Sequence, residues 1–168
     1  MVLGYTVNHL FQHPVEKVVN AHRKSYDESK DIIEVKQVEH EHDVQGLEYV
    51  KWIITSFNPM PNIVKKMGGM DHPNIQTEEE MWVDEPSRRH WFRQQNISFI
   101  DNMILQKNST FVPDSHNPDW TCFEQAGAVD MSNLGFVGKA LELLYKNVME
   151  NDVRKQIAMI EGILNKKL

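Results

Sequence analysis

One cysteine, Cys122, stands in a chain of 168 residues. No disulfide can close within it, and the thiol content neither marks an oxidising compartment nor argues against one. No uninterrupted apolar stretch approaches the roughly 20 residues that span a bilayer, which predicts a soluble protein. Residues 1–11 lack the basic start, apolar run and small-residue cleavage site of a secretory signal, and they lack an arginine-rich transit pattern. Positive charge is not in excess: 18 basic residues face 24 acidic ones, for a net charge of -6. A general nucleic-acid binder is therefore not expected. A Gly-rich phosphate loop, a nucleophile motif and a Cys–His metal spacing are all missing. Two Asn-x-Ser/Thr sequons, at Asn96 and Asn108, read as chance without a secretory signal. What is present is 40% apolar and 25% charged residues, enough for a core and incompatible with global disorder. The length suits one domain over 1–168.

Alternation of Leu3, Tyr5 and Val7 predicts a half-buried strand. Pro14 then opens a helical pattern in which Val15, Val18, Val19, His22 and Tyr26 share a face. Extended patterning returns over 32–42, where Ile33 and Val35 lie on one face and Val38, His40 and His42 follow after a phase slip, the mark of a bulge. A turn over 43–46 leads into a strand over 47–57 rich in β-branched and aromatic residues. Residues 58–73 break the rhythm with Pro59, Pro61, Pro73 and the Gly68–Gly69 pair. Between them lies a short amphipathic helix that Pro61 can open and the glycines can end. Further strands are expected over 74–84, 88–98, 100–112 and 120–131.

The last element differs in kind. Over about 133–166 there is no proline, and Val137, Leu141, Leu144 and Val148 step by +4, +3, +4, as do Val153, Ile157, Ile160 and Leu164. A helix of that length spans about 50 Å. The simplest home for it is a curved sheet, so the expected fold is α+β: a seven-stranded antiparallel curved sheet gripping a long C-terminal helix, with a short N-terminal helix and a lid over about 58–73.

A third stripe on that helix, Ala140, Leu144, Asn147, Asn151, Arg154 and Ala158, is apolar at its ends and donor-rich in its middle. It reads either as a solvated face or as a polar notch in which Arg154 neutralises a phosphate and the two amides bond its remaining oxygens. His40 and His42 sit two apart on a strand, a spacing that can supply two of the ligands zinc takes, but no third ligand stands nearby. Glu79 shares its face with Thr77 and Met81, and the run Glu78–Glu79–Glu80 suits an exposed edge strand. Cys122 reads as a small buried hydrophobe. A metal-dependent enzyme would draw on His40, His42 and Glu79; an interaction module without ligand is the other alternative.

The order of several motifs resembles the PRELI domain family along the whole chain. They are Val7-Asn8-His9-Leu10-Phe11-Gln12-His13-Pro14, Met60-Pro61-Asn62-Ile63-Val64-Lys65, Asn96-Ile97-Ser98-Phe99 and the pattern over 151–164. A second set, Pro73-Asn74-Ile75-Gln76, the three glutamates, Trp82 and Asn117-Pro118-Asp119-Trp120-Thr121, resembles one subgroup of that family. The resemblance implies a phospholipid carrier of the mitochondrial intermembrane space, without covalent chemistry or cofactor. Its lipid would lie between sheet and long helix beneath a mobile lid. It also implies an anionic mitochondrial membrane surface as partner, and a small helical protein with two Cys-x9-Cys pairs. By resemblance, Arg154, Asn151 and Asn147 contact the headgroup, together with Ser25, Lys51 and Lys24. The lid residues Pro61, Ile63, Val64, Lys65, Lys66, Met67, Gly68 and Gly69 meet the membrane. Carriers of phosphatidic acid in the family are basic where this chain has Ser25, Trp52, Ser56 and Asn147. That exchange implies a preference for a phosphodiester such as phosphatidylserine.

Overall fold

A computed structural model describes residues 3–166. In chain order the elements are β1 (Leu3–Phe11), α1 (Val15–Glu28), β2 (Ile32–His42), β3 (Leu47–Phe57), α2 (Asn62–Gly68), β4 (Asn74–Asp84), β5 (Arg89–Asn96), β6 (Ile104–Pro113) and β7 (Thr121–Asp130). A 3₁₀ turn (Ser132–Leu134) then leads into α3 (Phe136–Leu164). The strands form one antiparallel, curved sheet in the order β1-β7-β6-β5-β4-β3-β2. The expected architecture is the observed one.

Alternation fixes which side chains point inward. Val50, Trp52 and Ile54 on β3, Ile75, Met81 and Val83 on β4, and Leu105 and Phe111 on β6 are all buried. They meet α1 through Val15, Val18 and Val19, and α3 through Leu141, Tyr145, Met149, Val153 and Ile160. Each of the larger side chains contributes about 1.5–3 kcal/mol on full burial. Phe111 stands at the centre, with ring centroids 4.8 Å from Phe123 and 5.6 Å from Phe92. At the α1 N-terminus Pro14 is the capping residue, and at the α2 C-terminus Gly69 adopts the left-handed conformation (φ 68°) that ends the helix.

Two expectations are corrected, for β4 and for Cys122, and the others gain detail. The phase slip in β2 is real, with register shifts at Ile32/Glu34 and Gln37/Glu39, but neither face of the strand packs on the core. β2 is an edge strand, so Ile33, Val35 and Val38 remain exposed. β4, which carries the three glutamates, is not an edge: it pairs with β3 and β5, and Glu79 points into the core. The long helix packs on α1, β1 and β7. Finally, Cys122 is only half-buried and its Sγ donates to Asp114 Oδ1 (3.1 Å). The sequon residue Asn96 is buried and fully engaged, donating to the Ser98 and Met103 carbonyls and accepting from the Leu105 amide.

Candidate functional site

Where α3 leaves the sheet uncovered there is a partly open cavity of about 280 Å³, at the small end of ligand pockets. β3 to β7 supply its floor, α3 one wall, and α1 with residues 29–32 another. The strand residues that reach it occupy the inward phase of their strands. On β6 that phase reads Leu105, Lys107, Ser109, Phe111, and on β4 it reads Ile75, Thr77, Glu79, Met81. Polar side chains therefore stand in rows that are otherwise apolar, which places them inside without any loop to carry them.

Glu79 organises one side. Its Oε2 accepts from Tyr26 Oη (2.6 Å) and from Gln94 Nε2 (2.6 Å), and the Gln94 amide also donates to Tyr26 Oη (3.1 Å). Burial alone would raise the Glu79 carboxyl, but the neighbouring His22 and the donors Tyr26 and Gln94 outweigh it and hold the group below its ordinary value. Tyr26 is pushed the other way, well above the usual phenol range, by burial and by the adjacent Glu79 charge. His22 is packed among Tyr26, Phe92 and Phe111, with centroids 4.9, 5.0 and 5.4 Å away. Gln156 Nε2 lies 3.1 Å from His22 Nδ1 and donates to it, which leaves the ring hydrogen on Nε2. That Nε2 has no hydrogen-bond partner among the described residues; Glu79 Oε1, at 4.0 Å, is an electrostatic neighbour only.

Across the cavity Lys107 and Asp152 face the same space. Burial lowers the Lys107 ammonium and raises the Asp152 carboxyl, each partly relieved by the charge of the other. Neither makes a hydrogen bond or ion pair among the described residues. Lys155 and Gln156 extend the α3 wall, and Gln125 closes a chain in which Tyr5 Oη donates to Gln125 Oε1 (2.7 Å) and Gln125 Nε2 donates to Ser109 Oγ (2.9 Å).

The sequence-based headgroup set is divided by this geometry. Ser25 is buried and lines the cavity, its hydroxyl donating to the His22 carbonyl. Asn147, Asn151 and Arg154 lie on the exposed face of α3 and do not reach the cavity. Leu144, assigned to the buried stripe, is exposed with them, because the buried line runs one residue over through Leu141, Tyr145, Met149 and Val153. Lys24 is exposed, and Lys51 points to the outer face of the sheet, where it pairs with Glu78 (3.4 Å) and Glu39 (4.0 Å). Trp52 is inward and buried, and the Arg23 guanidinium stacks over it at 3.9 Å. Lys107, Asp152, Lys155, Gln94 and Gln156 were missed. The inward phase of β6 would have found Lys107, whereas the α3 pair needed the helix orientation.

The lid divides too. Val64 and Gly68 are buried, Pro61 and Lys65 half-buried, and Ile63, Lys66, Met67 and Gly69 exposed. A Cβ on Gly68 would stand 2.6 Å from Met70 Cε and 3.4 Å from Leu134 Cδ1, so α2 seats on the start of the α3 region through a residue without side chain. Asn58 Nδ2 donates to the Met70 and His72 carbonyls, and Asn102 Nδ2 donates to the Gly68 carbonyl (2.9 Å). His40 and His42 sit on β2 opposite Glu48 (3.7 Å) and Glu85 (3.6 Å), far in the sheet order from any shared ligand set. Among the described residues no group of three metal-ligating side chains assembles, and no helix is long and apolar enough to cross a membrane.

Comparison with known proteins adds three findings. The PRELI-like family profile matches residues 16–168. The CRAL-TRIO domain-containing protein T23G5.2 of Caenorhabditis elegans is 25% identical over 139 residues, covering 80% of this chain and 19% of that protein. The chain thus spans about a fifth of that relative's length. Among solved structures, TTHA0849 from Thermus thermophilus superposes with a TM-score of 0.61 at 13% identity, covering 95% of each chain. The Zhui aromatase/cyclase from Streptomyces sp. R1128 gives 0.58 at 10% identity, over 96% of this chain and 93% of that one. These likenesses show that the fold is shared with proteins of very different sequence.

Proposed function

The chain belongs to the PRELI-like family, and from that premise and the charged cavity we propose that it binds one phospholipid between sheet and α3 and carries it between mitochondrial membranes. The observation that supports this reading is the pairing of unsatisfied charge with enclosure: Lys107 lines the cavity without a hydrogen-bond or ion-pair partner among the described residues. A half-buried cation in that position is short of hydration, and an anion beside it offsets the loss. In this reading a phosphate headgroup meets Lys107 and Lys155, with Ser25 on the adjoining wall. No step needs a nucleophile or a metal, so the role is carriage without covalent chemistry. The subgroup motifs support a narrower reading, in which the chain is of the PRELI domain-containing protein 2 type. It then works in the intermembrane space, with a small helical protein carrying two Cys-x9-Cys pairs as partner.

The membrane-facing element in this reading is α2 with its approaches. Phe57, Ile63 and Met67 are just over half exposed there, and Lys65 and Lys66 add positive charge suited to an anionic leaflet. A cavity of about 280 Å³ is small for a whole phospholipid, so in this reading α2 or α3 moves outward on loading. Two substitutions test the site. Lys107→Met abolishes lipid capture from vesicles, while Arg154→Glu, on the outer face of α3, leaves it within about twofold of the unsubstituted protein. Equal capture by Lys107→Met, or loss in Arg154→Glu alone, returns the headgroup to the outer stripe.

A further inference from the structure

The antiparallel register gathers three separate segments at one end of the sheet. Phe57 ends β3 opposite Asn74, Thr77 stands opposite Asn96, and Ile104 opens β6 opposite Asp130. The connections that leave from those rungs are α2, residues 97–103 and the start of α3. They are fastened to one another. Asn102 Nδ2 donates to the Gly68 carbonyl (2.9 Å), and Asn133 Nδ2 donates to the Asp101 carbonyl (3.0 Å). A Cβ on Gly68 would stand 3.7 Å from Leu141 Cδ1, so α2 also lies against the first turns of α3.

At this end the chain leaves large apolar side chains in water. Phe136, the first residue of α3, is 97% exposed, and Leu143 is 53% exposed. At 3.6 residues per turn, Phe136, Ala140 and Leu143 fall within about 60° of one another on the helix surface. All three are exposed, while Leu141, Tyr145 and Met149 take the buried side. Lys139 and Lys146 border one edge of the stripe. Ile97 and Ile100, in the neighbouring connection, are each 40% exposed. A clustered apolar surface of this kind marks an interaction site.

An amphipathic helix face fits either a groove in a protein or a membrane interface. Charge favours the membrane. Lys65, Lys66, Lys139 and Lys146 stand at this end against Asp71, Asp101 and Asp130, a local positive excess in a chain whose net charge is -6. The apolar tips are also spread over separate connections that leave the sheet end, an arrangement suited to a yielding surface. We propose that the outer face of the first two turns of α3, with residues 97–103, is a second docking surface for an anionic bilayer, so that the molecule stands on this end of the sheet rather than on α2 alone. The inference rests on the reading that the chain collects its ligand from membranes.

The test is flotation of the 168-residue chain with vesicles of phosphatidylcholine and cardiolipin. Phe136→Ser with Leu143→Ser lowers the affinity by about tenfold, the effect of one large side chain's transfer from water. The thermal midpoint stays unchanged, because both side chains are already exposed. Insertion is read separately in a Cys122→Ser background. A fluorophore attached through Phe136→Cys is quenched by lipids brominated on their acyl chains. The same fluorophore attached through Val44→Cys, in the β2–β3 turn at the other end of the sheet, is not quenched. Undiminished flotation of the double variant, or a label at position 136 that stays unquenched while the protein floats, overturns the proposal and leaves this face to a protein partner. Failure of the unsubstituted chain to float at all overturns the reading beneath it as well.

Discussion

At the scale of single residues, the cavity separates groups with hydrogen-bond partners in place from groups without one among the described residues. Glu79 belongs to the first kind, with its donors Tyr26 and Gln94 in place. Asp152 belongs to the second. Its carboxyl is raised above the ordinary value, by burial first, with Lys107 and Lys155 pulling it down and Asp31 pushing it up. A raised folded-state pKa contributes stability that is present below the unfolded value and lost as pH rises through the folded one. Asp152→Asn, which mimics the protonated form, is therefore expected to raise the thermal midpoint of the lipid-free protein by a few degrees at neutral pH. The gain disappears once acid protonates Asp152 in the parent, and scanning calorimetry across that range checks it. Some of this was legible beforehand. Glu79 was correctly grouped with Thr77 and Met81, yet read as part of an edge, because strand order is not written in the alternation of one strand. Lys107 was passed over although Leu105, Ser109 and Phe111 share its phase.

At the scale of elements, the sequence patterns located every helix and strand to within a few residues, since period and punctuation are local properties. They failed on orientation. On α3 the buried line includes Tyr145 and is continued toward the cavity by Asp152 and Gln156. A search for the most apolar stripe therefore settled on Leu144 instead, and Asn147, Asn151 and Arg154, which only the resemblance gave to a headgroup, lie on the exposed face. A helix that lines a charged cavity hides its functional face among the residues that hydropathy assigns to solvent. The short helix α2 was better served by its sequence, because Pro61 and Gly69 act through backbone geometry alone. Two expectations follow for it. Lys65→Glu with Lys66→Glu weakens binding to cardiolipin-containing vesicles, each lysine being worth on the order of 1 kcal/mol at such a surface; unchanged vesicle flotation removes the lid from membrane contact. Asn102→Ala frees the Gly68 carbonyl and speeds amide exchange over 62–70 while leaving the β5 and β6 amides protected. Exchange that rises equally across the sheet means Asn102 supports the fold rather than the closed lid.

At the scale of the whole molecule, a curved sheet and one long helix enclose a space that neither element fills. Charged side chains, Glu79, Lys107 and Asp152 among them, face that space beside an apolar lining that includes Ile54, Phe92, Leu105 and Val153. The fold is shared with proteins of very different sequence, so function rests on what lines the cavity and not on the architecture around it. The central claim is that a phospholipid occupies this cavity, and native mass spectrometry tests it most directly. After exposure to vesicles of mitochondrial lipid composition, the intact chain should carry one phospholipid per protein, and Lys107→Met should carry none. A chain that stays at its bare mass under those conditions, or that binds lipid equally well without Lys107, contradicts the account.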